Sequence, residues 1–113
     1  MSLDIALYIY VDTGGNELHR VELFDANIIH NLGSMAKAAG LYDALWCPDE
    51  SGQAEDILPL LVDGYNELKG DPNKYKSFDA SNGWGTYDAL LSFVESYMAA
   101  CDKHPLACIW ISK

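Results

Sequence analysis

Residues 5–11 form an unbroken apolar run, Ile-Ala-Leu-Tyr-Ile-Tyr-Val, and from Leu3 onward the stretch has little polar alternation. That is the pattern of a central strand covered on both faces. The run is far shorter than the roughly 20 residues a membrane-spanning helix needs, and Asp4 stands where a secretion signal would carry positive charge. Residues 12–16, Asp-Thr-Gly-Gly-Asn, are turn formers. Residues 18–24 alternate after them, so a second strand returns beside the first as a hairpin, with His19, Val21 and Leu23 inward and Arg20 and Glu22 on the other side.

The period then changes to that of helices. Ile28, Leu32, Met35, Ala36 and Ala39 form a stripe that Asp25 or Asn27 caps and Gly40 closes in the left-handed C′ position. A second stripe, Ala54, Ile57, Leu58, Leu61, Tyr65 and Leu68, closes on Gly70, and Pro59 within it predicts a helix that begins near Leu58 or bends there. A third follows Thr86 as N-cap, runs from Tyr87 to Cys101 and stops at His104-Pro105. Residues 106–112 read as a closing strand, with Cys108, Trp110 and Ser112 facing opposite to Ala107, Ile109 and Ile111. The expected fold is α+β, one domain over residues 1–113 in the order ββαααβ, with a three-stranded, mainly antiparallel sheet packed against three helices. Residues 42–53 and 71–85 read as irregular. They hold Tyr42, Trp46, Tyr75, Phe78 and Trp84, and long loops that carry aromatics commonly have a function.

Charge narrows the partners. Seven basic residues against seventeen acidic ones leave a net charge of −10, which repels phosphate backbones and anionic membranes, so neither nucleic acid nor a membrane surface is an expected partner. A chain of 12.5 kDa buries about two thirds of its extended surface on folding, enough core to dispense with a disulfide or metal. Cys47, Cys101 and Cys108 are an odd number without paired spacing, which points to a reducing, cytoplasmic compartment.

Several motifs have a catalytic and a structural reading. Asp12-Thr13-Gly14 matches the aspartic protease turn, but three helical stripes oppose that fold and a hairpin turn accounts for the residues. Cys101, His104 and Cys108 are three soft ligands where structural zinc wants four, so they read as core residues and no cofactor is expected. Asn27, His30 and Asn31 fall at i, i+3 and i+4 on one edge of the first helix, where they line a pocket, or cap the helix and satisfy a loop carbonyl. In Asn82-Gly83-Trp84-Gly85-Thr86-Tyr87 a tryptophan sits between two glycines at the start of the third helix. The N–H groups there suit an anion or carboxylate, and Trp84 and Tyr87 offer flat faces to a base or sugar; alternatively Trp84 plugs the core. The glycines and lysine of a P-loop are missing.

Residues 27–32 (Asn-Ile-Ile-His-Asn-Leu), Met35-Ala36, residues 38–42 (Ala-Ala-Gly-Leu-Tyr), Leu45-Trp46 and residues 82–87 resemble a family of small proteins from bacteriophages, prophages and bacteria. The likeness runs on to the 101–105 end of the third helix, and the family carries no assigned chemistry. It implies a phage-linked setting in the cytoplasm of a bacterial host, where small accessory proteins block host enzymes or sequester host signals.

The expected function is a non-enzymatic binding protein in which Asn27, His30, Asn31, Trp46, Asn82, Trp84 and Tyr87 converge. Its partner would be a small polar ligand, such as a nucleotide-derived signal, or a host protein, and the binding would counteract host defence. The alternatives are an acidic, nucleic-acid-mimicking inhibitor and, ranked last, a hydrolase using His30 with Asp25 or Asp43. Sheet edges and the aromatics Tyr8, Tyr10 and Trp110 lead to the expectation of a homodimer through the sheet.

Overall fold

One long hairpin frames the computed structural model, which describes residues 2–49, 51–79, 83 and 85–113. Strand β1 (Ser2–Asp12) pairs antiparallel with β2 (Leu18–Ile29) along its whole length, and β3 (Cys108–Ser112) pairs with β1 from Asp4 to Tyr8, giving the order β2-β1-β3. At the hairpin tip Asp12 Oδ1 accepts the Gly14 N–H at 2.9 Å, and Gly14 has φ +91°. The Asp-Thr-Gly motif is thus turn chemistry, with its carboxylate committed to the turn.

Strand β1 is central, as expected, but helices cover only one of its faces. Leu3, Ile5 and Leu7 are buried with Ile109 of β3 in the core, whereas Tyr8 on the other face is half-buried and Tyr10 exposed. The inward face expected of β2 is also corrected. The register shifts between Leu7↔Phe24 and Tyr8↔Glu22, a bulge at Leu23, and beyond it His19 and Val21 are exposed because the hairpin reaches past the helices. This arm stretches the molecule to 53 × 26 × 18 Å, with a radius of gyration of 15.1 Å against about 13 Å for a compact chain of this length.

The sheet continues further into the sequence than periodicity implies. Asp4↔Asn27, Leu3↔Ile28 and Ser2↔Ile29 are strand pairs, so Asn27 and Ile28 belong to β2 and not to a helix. The ladder supplies those residues with backbone hydrogen bonds that a helix start would leave unmade. Coiling begins with a 3-10 turn at His30–Leu32 and continues in α1 (Gly33–Ala38), after which Gly40 adopts φ +78° as anticipated.

The stretches read as irregular hold two further short helices, α2 (Tyr42–Trp46) and α4 (Pro72–Lys76), which makes five α-helices among the described residues where three were expected. Helix α3 (Ala54–Gly70) starts before Pro59. A capping box holds that start, in which the Gln53 N–H donates to Asp56 Oδ2 at 2.9 Å, and Pro59 is solvent-exposed, so only its own missing donor is lost. Helix α5 (Tyr87–Lys103) is capped as expected, with Thr86 Oγ1 accepting the Ala89 N–H at 3.2 Å. Among the described residues no helix is long and apolar enough to cross a membrane.

Gly64 of α3 packs so tightly on Leu41 that an added Cβ would run into the Leu41 side chain. Gly64→Ala should therefore destabilise the protein by about 1–3 kcal/mol through overpacking. Gly70→Ala, at the open end of the same helix with no atom within 4 Å of an added Cβ, should be neutral or stabilising by under ~1 kcal/mol. Urea denaturation of the two variants checks the contrast.

Candidate functional site

His30 opens the turn where β2 ends, and its ring meets Trp46 edge-on, with centroids 6.2 Å apart and planes at 76°. Trp46 stacks in turn on Tyr42 at 5.2 Å and 8°. Gly33 of α1 lies beside the Tyr42 ring, where an added Cβ would make an ordinary contact at 3.6 Å. Helix α2 turns Ala44, Leu45 and Trp46 inward, and the Trp46 carbonyl accepts from Lys113 Nζ at 2.9 Å. Trp46, expected to converge on the pocket with His30, is buried in the core and forms a wall against the His30 ring. His30 itself is half-buried, and its Nε2 is enclosed without a hydrogen-bond partner. An imidazole nitrogen in that condition destabilises a fold by about 1–3 kcal/mol.

The start of α5 approaches the same turn. Gly85 has φ +95°, and a Cβ on it would lie 3.3 Å from Asn31 Cβ and 3.5 Å from the Leu32 side chain. Of the 82–87 segment, Gly85 packs against Asn31 and Leu32, and Asn31 is exposed. Asn82 and Trp84 lie outside the described residues. A groove of about 370 Å³ runs between β2 and α5, lined by Asn27, Ile29, Leu32, Gly85, Ala89 and Ser92. Asn27 reaches it from the strand, which replaces the expected i, i+3, i+4 helical edge.

Two expectations at the start of α5 are corrected. The Tyr87 N–H donates to Asp79 Oδ1 at 2.7 Å and the Ala89 N–H to Thr86. The carboxylate suited to this helix start is therefore one of the chain's own. Tyr87 is buried and its hydroxyl donates to the Leu68 carbonyl at 2.7 Å, so it ties α5 to α3 and presents no face to a ligand. Its burial raises the phenol above its ordinary pKa.

The hydrolase arrangement is not assembled at Nε2. Asp25 lines a cleft on the open sheet face with Trp110, and Asp43 rims a separate cavity of about 240 Å³ with Cys47, Asp49, Asp56 and Leu60; neither partners His30 Nε2. That second cavity went unread in the sequence, although the aromatic loop 42–53 that forms one wall of it was singled out. Cys101 is buried, which pushes its thiol up to about 12 and away from nucleophilic use. Among the described residues no three ligating side chains cluster for a metal. The chain matches no protein-family model, no curated protein and no solved structure.

His30→Phe keeps an aromatic ring against Trp46 and removes the unpartnered nitrogen. In ligand-free protein it should leave stability unchanged or raise it by about 1 kcal/mol, while His30→Ala lowers it by about 1–3 kcal/mol. Equal losses in urea denaturation would mean that Nε2 has a partner in the ligand-free state.

Proposed function

We propose that this is a non-enzymatic binding protein whose groove between β2 and α5, beside His30, captures a small polar ligand. The observation that carries the reading is the enclosed, unpartnered Nε2 of His30. Ile29 and Leu32, which flank His30 in the chain, line the groove with the Asn27 amide and Gly85. The Asn27 amide and the Ser92 and Ser96 hydroxyls on a mostly apolar wall suit a ligand that hydrogen-bonds through ring nitrogens and carbonyls. A neutral nucleoside-like heterocycle fits better than a free phosphate, because Asp79 occupies the α5 start and the chain carries −10. The motif resemblance to phage and prophage proteins supports a host-directed role, the sequestering of a host signal through its neutral heterocycle.

The charge of −10 favours a second reading, an acidic inhibitor that presents carboxylates to the nucleic-acid site of a host enzyme. Ionic strength separates the two, since binding of that kind collapses between low and high salt whereas a groove for a neutral ligand is little affected.

Mass spectrometry of small molecules released on denaturation, with thermal melts against a panel of nucleosides and nucleotides, tests the proposal. A released heterocycle or a melting shift that His30→Ala and Asn27→Ala reduce at least ~10-fold in apparent affinity supports it, a factor of ten being about 1.4 kcal/mol. Absence of any released species together with flat melts contradicts it.

A further inference from the structure

We infer that residues 9–12 of β1 are a docking edge that takes an extended, basic peptide segment as an added antiparallel strand, in line with β3. Strand β3 covers β1 only from Asp4 to Tyr8, while β2 accompanies β1 on its other side as far as Asp12↔Leu18. Among the described residues no strand follows β3 along the remaining edge, so alternate N–H and C=O groups of residues 9–12 face outward.

Sheet edges are ordinarily blunted by charges, bulges or a covering segment. The outer edge of β2 has the Leu23 bulge and carries Arg20, Glu22 and Asp25. The outer side of β3 is bridged by Gln53 at Cys108. Ile9, Tyr10 and Val11 have none of these protections, and the arm around them exposes Tyr10 by 55%, Leu18 by 60% and Val21 by 40%.

The open face beside this edge is a built aromatic row. Tyr8 and Tyr10 meet edge-to-face at 5.6 Å, and the Arg20 guanidinium lies 4.0 Å from the Tyr8 ring centre and 5.8 Å from that of Trp110. Side chains of an added strand on that face would pack beside Tyr10, the usual source of specificity when a peptide extends a sheet.

Charge selects the occupant. The arm, residues 9–22, carries Asp12, Glu17 and Glu22 against Arg20 alone, and Arg20 is already engaged with the rings. A strand bearing Lys or Arg complements this arm. A second copy does not, since it brings another −10 and a four-residue edge offers well under the ~1,000 Å² of a stable dimer interface.

Fluorescence anisotropy with a labelled Lys-Val-Thr-Val-Lys-Val-Thr-Lys peptide, and with its counterpart carrying Glu for each Lys, tests this on the full chain. The basic peptide should bind at least ~10-fold tighter than the acidic one and protect the amides of residues 9–12 from hydrogen exchange. Tyr10→Lys, out on the arm and checked for an unchanged melting temperature, should weaken it ~10-fold or more. No binding at millimolar peptide, equal binding of both peptides, or protection elsewhere overturns the proposal. So does light scattering that finds a dimer which Tyr10→Lys converts to monomer, since the edge would then belong to a second copy.

Discussion

The length over which β1 and β2 pair decides where everything else in this molecule goes. At one end the ladder persists to Ser2↔Ile29, so coiling cannot begin before His30, and the imidazole comes to lie in the turn that leaves the sheet. At the other end the same two strands run on after the helices and β3 have stopped, leaving a thin arm. A two-stranded ribbon is marginal in water, so the arm depends on its continuity with a three-stranded sheet whose core face buries Leu3, Ile5, Leu7, Ile28 and Ile109.

His30 is held from two directions. Trp46 and Tyr42, on the five-residue α2, back its ring, and Gly85 brings the start of α5 against the adjoining Asn31 and Leu32. Those contacts fix the ring while leaving Nε2 without a partner. A buried polar group in that state, as Tyr97 Oη is as well, works against stability. Asp79, by filling the start of α5, takes away the anion site that the glycine-flanked motif suggested and shifts the chemistry toward neutral hydrogen-bonding ligands.

What the sequence discloses follows how local each cause is. Thr86 as a cap, Gly40 at positive φ, the length of α5 and the alternation of β3 all depend on neighbouring residues, and all were legible. Ile28 was misread because it satisfies a helical period and a strand pair with Leu3 equally well, and only the partner strand decides. Helices α2 and α4 span five residues each, too few to display a period. Pro59 suggested a break, but the Gln53–Asp56 capping box starts α3 upstream and the ring faces solvent. Within the site, a meeting of the His30 edge with Trp84 was anticipated; Gly85 packs against Asn31, and Trp84 lies outside the described residues. The burial of Tyr87 and its bond to Leu68 were not anticipated, because they depend on a contact with α3 that no local pattern announces.

The most direct test of the central claim is a long-range nitrogen–proton NMR spectrum of the His30 imidazole, taken before and after addition of a neutral nucleoside. The account predicts an Nε2 signal without hydrogen-bond character in the free protein that shifts and saturates as the ligand binds. An Nε2 already hydrogen-bonded in the free protein, or one that does not move at saturating ligand, would contradict it.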